Sequence, residues 1–229
     1  MMVFTQKESM MKTYIVRFLK LNFGLFLYGL GIIVTMKANV GYAPWEVLHS
    51  GISQTLGVSI GLVNTVVGAI IVAIVCLLGE KIGLGTIFNM FMIGFFMDLI
   101  LNLNLIPLIH NFWLGALVMI IGLFIISLGT YFYISSAFGA GPRDSLMVAV
   151  TRKTNLPVGF CRILLEVSVV IIGGLLGGMV GLGTVLSAFA IGLCIQATFR
   201  IMRFDPTLVE HETFGMMVKN LRQLKKEKE

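Results

Sequence analysis

Charge is scarce in this chain. Asp, Glu, Lys and Arg make up 12% of its 229 residues, whereas a soluble domain carries about a quarter. So few charges cannot cover a water-facing surface, which excludes an ordinary soluble fold. Cysteine is nearly absent too: Cys76, Cys161 and Cys194 fall inside apolar runs, with neither CxxC spacing nor a nearby His cluster. No disulfide framework or metal site is indicated, and the three read as small buried hydrophobes. No phosphate loop, GxSxG, HExxH or Cys/His nucleophile arrangement is present, so neither an enzyme nor a cofactor is expected. A secretory signal is lacking as well. The first apolar run is too long and no small-residue cleavage site follows it, so it reads as a retained span.

Apolar sequence is what the chain has in quantity. Hydrophobic residues reach 57% and the mean hydropathy is +0.96. Several runs approach the roughly 20 residues needed to cross a bilayer, so the lipid bilayer is the expected solvent of an integral membrane protein. The net charge of +6 is no nucleic-acid footprint. Most Lys and Arg lie at the termini and in loops, where basic residues set membrane orientation.

One construction occurs twice. Gly41-Tyr42-Ala43-Pro44-Trp45-Glu46 returns as Gly139-Ala140-Gly141-Pro142-Arg143-Asp144. Adding 98 carries Gly41 to Gly139, Pro44 to Pro142, Glu46 to Asp144 and Leu48 to Leu146. The offset holds without a gap elsewhere: Gly24-Leu25-Phe26 meets Gly122-Leu123-Phe124, and Gly83-Leu84-Gly85-Thr86 meets Gly181-Leu182-Gly183-Thr184. A fixed-period repeat decides the fold, and the chain reads as a duplicated unit.

Each copy holds three long apolar runs and one short, more polar segment. The runs cover 19–36, 60–78 and 86–105, then 113–134, 159–177 and 184–202. Pro44 and Pro142 open short helices reaching Leu56 and Thr154; proline at the first helical position removes no needed N–H. These helices are too short and too polar to cross a bilayer. The expected fold is an all-α polytopic membrane protein with two repeats of three transmembrane helices plus one short re-entrant or interfacial helix. Its parts are a cytoplasmic N-terminal segment (1–17), a first membrane repeat (18–110), a second (111–203) and a cytoplasmic tail (204–229), helical or frayed.

Three crossings per copy reverse the second copy, giving inverted topology. Basic residues agree with this. Lys12, Arg17, Lys20 and Lys81 map onto His110, Gly115, Val118 and Met179. Arg143, Arg152, Lys153, Arg162 and Arg200 map back onto Trp45, Gln54, Thr55, Asn64 and Asn102. No basic residue lands on Lys or Arg, as the positive-inside rule requires if equivalent loops face opposite sides. Both termini are then cytoplasmic. The alternative, eight spans in parallel repeats, gives no reason for that swap. Lys37, at the far end of the first span, is the exception and can snorkel.

Polar residues within the bilayer are costly and mark functional candidates. Glu46 and Asp144 are repeat-equivalent, two residues after the paired prolines. Each either caps its own helix N-terminus or faces a substrate where two half-helices converge. Gly41, Gly139 and Gly141 ahead of the prolines let backbones approach closely. The acids argue against an anion and favour a cation, a proton or a neutral polar solute. Arg162 and Glu166, four apart on one helix, can pair. Asp98, equivalent to Gln196, reads as a proton or ion relay or as a group near the outer interface. Asn64, His49 and Gln54 are candidates to line a polar cavity, and Arg143 to assist the acids. Trp45, Tyr42 and Trp113 read more naturally as interface anchors than as substrate stackers.

The paired Gly-x-Gly/Ala-Pro-x-Asp/Glu turns and the Gly-Leu-Gly-Thr returns at Gly83 and Gly181 resemble the bacterial YczE/YyaS/YitT family of integral membrane proteins. The resemblance covers about 15–203 and implies a multi-pass protein of the bacterial inner membrane, with little about mechanism. Copy one departs from strict symmetry, with Tyr-Ala-Pro for Ala-Gly-Pro and Glu for Asp. The expected function is transport of an unknown small solute or ion by alternating access between inverted halves, with a homo-oligomer compatible. A second expectation is a non-transporting partner or regulator that docks a protein on its basic cytoplasmic face, through Arg152 and Lys153.

Overall fold

The computed structural model describes residues 2–80, 82–209, 212 and 215–216, with side chains from residue 11 onward except Thr207. Eight α-helices and one 3-10 helix, Pro206–Leu208, make up the regular structure among the described residues, without a strand. They are α1 (Met2–Lys37), α2 (Pro44–Leu56), α3 (Ile60–Leu77), α4 (Leu84–Leu103), α5 (Phe112–Ser135), α6 (Pro142–Thr154), α7 (Val158–Leu175) and α8 (Leu182–Ile201). The bounds of α2, α3 and α4 shifted by 98 start on Pro142, Val158 and Leu182, the starts of α6, α7 and α8. Six helices are long and apolar enough to cross a membrane; α2 and α6 are not among them. Most of the expected tail lies outside the described residues.

α1 and α5 form the axis of the molecule. Gly24 and Gly31 on α1 face Gly129 and Gly122 on α5 so closely that an added Cβ at Gly24 would lie 2.6 Å from the Tyr133 backbone nitrogen. Small residues let helix backbones touch inside a bilayer, where lipid removes any hydrophobic reward for association. Leu21, Leu25, Ile33, Met119 and Leu123 fill the remainder of this seam, each with 0–1% of its surface exposed. α4 packs on α1, α8 on α5, α2 on α7 and α6 on α3.

The two short helices are tied in by reciprocal turns. Gly41 and Gly139 adopt φ of 114° and 122°, a region open to glycine but not to residues with a Cβ. Gly41 lies against Gly181, and Gly139 against Gly83. The Gly183 amide donates to the Val40 carbonyl at 2.7 Å, and the Gly85 amide to the Phe138 carbonyl at 2.7 Å. Thus each Gly-Leu-Gly-Thr segment seats the proline turn of the other half of the chain. Pro44 and Pro142 stand at the starts of α2 and α6, while φ at Gly141 is an ordinary −65°.

Two expectations are corrected. Cys161 and Cys194 are buried, but Cys76 is exposed, because it sits on the outer face of α3. Gln54 is exposed at the far end of α2, with its Oε1 near Gly177, and so lines no central cavity.

Candidate functional site

The first turns of α2 and α6 meet in the interior. Glu46 is 4% exposed. Both terminal nitrogens of Arg143 donate to its Oε1 at 3.3 Å, and Nη2 also donates to Asn64 Oδ1 at 3.3 Å. The guanidinium carbon of Arg143 lies 4.9 Å from the centre of the Trp45 ring, a cation–π distance. Asp144 accepts the Tyr133 hydroxyl at 2.6 Å. Both carboxylates stand in the first turns of their helices, at the positive end of the dipole. Beside that dipole position, their side-chain hydrogen bonds join different helices: Glu46 reaches α6 and Asp144 reaches α5.

A cavity of about 110 Å³ opens beside these groups, bordered by Tyr28, Trp45, Asn64, Asn89, Tyr133 and Asp144, with Arg143, Arg162 and Glu166. Arg162 Nε donates to Glu166 Oε1 at 2.9 Å, the (i, i+4) pairing read from the sequence. A second chamber of about 70 Å³ shares Tyr28, Trp45, Arg143, Arg162 and Glu166 and reaches Ser187, Ala188 and Ile191 on α8. A third space of about 20 Å³, bordered by His49, Asn64, Asn89 and Arg143, has room for one water. His49 is 1% exposed and its Nδ1 has no hydrogen-bond partner.

Of the predicted candidates, Glu46, Asn64, Arg143, Asp144, Arg162 and Glu166 converge here, with His49 at the edge. Asp98 does not. It accepts the Ser59 hydroxyl at 2.5 Å and the Gly61 amide at 2.8 Å, fastening the start of α3 to α4. Trp45 overturns its expectation as an interface anchor, because it lines the cavity. Trp113 is 79% exposed, as an anchor would be. Tyr42 is partly buried outside the spans, and burial raises its pKa, so it stays neutral.

Tyr28, Tyr133 and Asn89 went unnoticed in the sequence. A lone amide within the apolar run of α4 was a usable signal for Asn89, by the cost that singled out Asn64.

A family described as "Family of unknown function (DUF6198)" matches residues 15–200. The chain belongs to that family. A Haemophilus influenzae protein described as uncharacterized is 33% identical over 182 residues, covering 80% of this chain and 83% of its own. The Bacillus subtilis protein named "Uncharacterized membrane protein YczE" is 31% identical, over 76% of this chain and 80% of its own. Bacillus subtilis YyaS, described as uncharacterized, is 26% identical over 81% of this chain and 94% of its own. No solved structure matches. With a membrane protein among its relatives and six helices apolar enough to span, this member of the family is a membrane protein.

Proposed function

We propose that this protein is a transporter of a small solute or ion, working by alternating access between two inverted halves in the bacterial inner membrane, with both termini in the cytoplasm. Offset-matched helix bounds and the reciprocal proline turns support the inverted repeat. Short helices whose N-termini meet at a central polar site are how inverted-repeat transporters hold a substrate.

One asymmetry carries the transport reading. In the first half, α3 closes on α4. A Cβ at Gly61 would lie 2.1 Å from the Gly94 carbonyl oxygen, and one at Gly94 would lie 2.3 Å from that of Gly61. The equivalents in α7 and α8, Gly159 and Gly192, have nothing within 4 Å. Similarly, Gly68 would touch Met90, whereas Glu166 and Ala188 at the same register border a chamber. Glu46 is buried and Asp144 exposed. Two halves with matching glycine seams, one shut and one parted, are what a single state of an alternating-access cycle looks like. With a cytoplasmic N-terminus, the shut seam lies toward the outside and the parted one toward the cytoplasm.

In the docking alternative Arg152 would act from an exposed position beside Glu80, with which it pairs at 2.8 Å. A cross-linking experiment tests the transport reading. In a chain with its three native cysteines replaced by serine, G159C/G192C should form a disulfide under mild oxidation as the other state is visited. If that pair stays reduced while G61C/G94C cross-links readily, the halves do not exchange states and alternating access is wrong.

A further inference from the structure

We propose that the cavity is a site for a small organic monocation, an ammonium or amidinium of up to about five non-hydrogen atoms, held on Asp144; this rests on the transport reading and narrows its substrate. Its first support is charge. Glu46, Asp144 and Glu166 border the two chambers with only Arg143 and Arg162 to offset them, so three negative charges face two positive ones. Arg143 pairs with Glu46 and Arg162 with Glu166. Asp144 has no cation within 4.0 Å among the described residues and is met by a neutral hydroxyl, that of Tyr133. Asp144 is exposed to the chamber and stands at the positive end of the α6 dipole, which offsets its charge only in part; a bound monocation would supply the counter-charge that no neighbouring side chain gives it.

Aromatic lining is the second support. Tyr28, Trp45 and Tyr133 all border the chamber that contains Asp144. Aromatic faces beside a carboxylate are the chemistry that recognises alkylammonium groups, since ring quadrupoles attract a cation whose methyl groups shed water easily. Trp45 already receives the Arg143 guanidinium, so the cavity accommodates a planar cation in this way. Asn64 and Asn89 add two neutral amides to the same lining. The third support is His49, whose buried, unpartnered Nδ1 borders a one-water space shared with Asn64, Asn89 and Arg143. It offers a further acceptor for a water or N–H on this side of the site.

Size sets the upper limit. A cavity of about 110 Å³ is smaller than the roughly 150 Å³ that accepts benzene. Methylammonium, guanidinium and tetramethylammonium fit that limit.

The experiment reads Trp45 fluorescence in the purified full chain, in lipid nanodiscs, with W113F so that Trp45 is the remaining tryptophan of the two. Methylammonium, guanidinium and tetramethylammonium chlorides are titrated against sodium chloride at constant ionic strength, with acetamide and sodium acetate as neutral and anionic probes. A saturable change with at least one organic cation is expected. D144N should raise its half-saturating concentration at least tenfold, and Y133F, which keeps the charge, by several-fold. The proposal is overturned if D144N titrates like its parent, if sodium gives the same response, if acetamide or acetate gives the saturable one, or if no cation responds. A parallel flux assay in proteoliposomes separates the two readings. Binding that depends on Asp144 without flux removes transport and leaves the cation site, whereas flux of an anion or neutral solute removes the cation site and leaves transport.

Discussion

Gly94 and Gly192 occupy the same register in α4 and α8, 98 residues apart, and their surroundings differ completely. Alanine at either position gains helix propensity, worth about 0.5–1 kcal/mol over glycine within a helix. At Gly192 nothing lies within 4 Å, so G192A should be neutral or stabilising by that amount. At Gly94 the new methyl would sit 2.3 Å from the Gly61 carbonyl oxygen and 2.5 Å from Thr65 Oγ1. The first of these is backbone, and the overlap is more than 1 Å inside the roughly 3.5 Å of a favourable contact, so α3 must move. Overpacking of this kind costs about 1–3 kcal/mol. The displacement also strains the bonds by which Asp98 holds Ser59 and Gly61. G94A should therefore be less stable than G192A by roughly 1–3 kcal/mol, since the propensity gain is common to both. At about 2–4 °C per kcal/mol for a chain of this size, thermal unfolding of the two purified variants in the same lipid should separate clearly, with the parent nearer G192A. Equal melting temperatures would refute the assignment of a shut seam at α3–α4 and a parted one at α7–α8. Transport adds a second readout, because the methyl of G192A would hinder the last step of closure of α7 on α8, short of the approach a disulfide needs, and should slow turnover despite its stability.

Arg143→Met leaves Glu46, with 5% of its side chain exposed, without its cation; loss of one partner of a buried pair costs about 3–5 kcal/mol. Adding E46Q should recover a good part of that loss in the same melting assay, and no recovery would mean the pair is not what Arg143 stabilises. Arg152→Ala breaks a pair in which Arg152 is 68% exposed, so its effect on melting should stay below about 1 kcal/mol. Loss of function from R152A with unchanged stability would instead favour the docking role. Asp98→Asn weakens the α3–α4 fastening and should raise the reactivity of a cysteine introduced at Val63, buried on α3, measured by maleimide labelling, without changing ligand response at Trp45. An altered response would place Asp98 in the site after all.

Much of the fold was legible because the bilayer simplifies the code. Apolar runs must be helices, and Pro44 and Pro142 mark their helix starts without ambiguity. The Gly-Leu-Gly-Thr segments were visible as repeats, but nothing local says that each binds the proline turn of the other copy. Those contacts join Gly183 to Val40 and Gly85 to Phe138, far apart in sequence, and follow from the reciprocal arrangement of halves. Glu46 and Asp144 were legible as isolated charges in apolar surroundings. Trp45 was misread because an aromatic near a span end has two common uses, and the choice depends on where Arg143, 98 positions on, arrives. The fold separates Asp98 from the central cavity for a similar reason: the Ser59 hydroxyl and Gly61 amide that donate to it lie at the start of another helix. Tyr28 and Tyr133 look like ordinary core aromatics until α1 and α5 bring them to one wall.

Side-resolved labelling tests the central claim most directly. Single cysteines at positions 54, 144 and 152, in a background without native cysteines, would meet a membrane-impermeant maleimide from one side at a time. Gln54→Cys should react from the outside alone and Arg152→Cys from the cytoplasm alone. Asp144→Cys should react from the cytoplasm, through the parted α7–α8 side. If the cysteines at 54 and 152 react from the same side, the repeats are parallel, and the inverted two-state account is wrong.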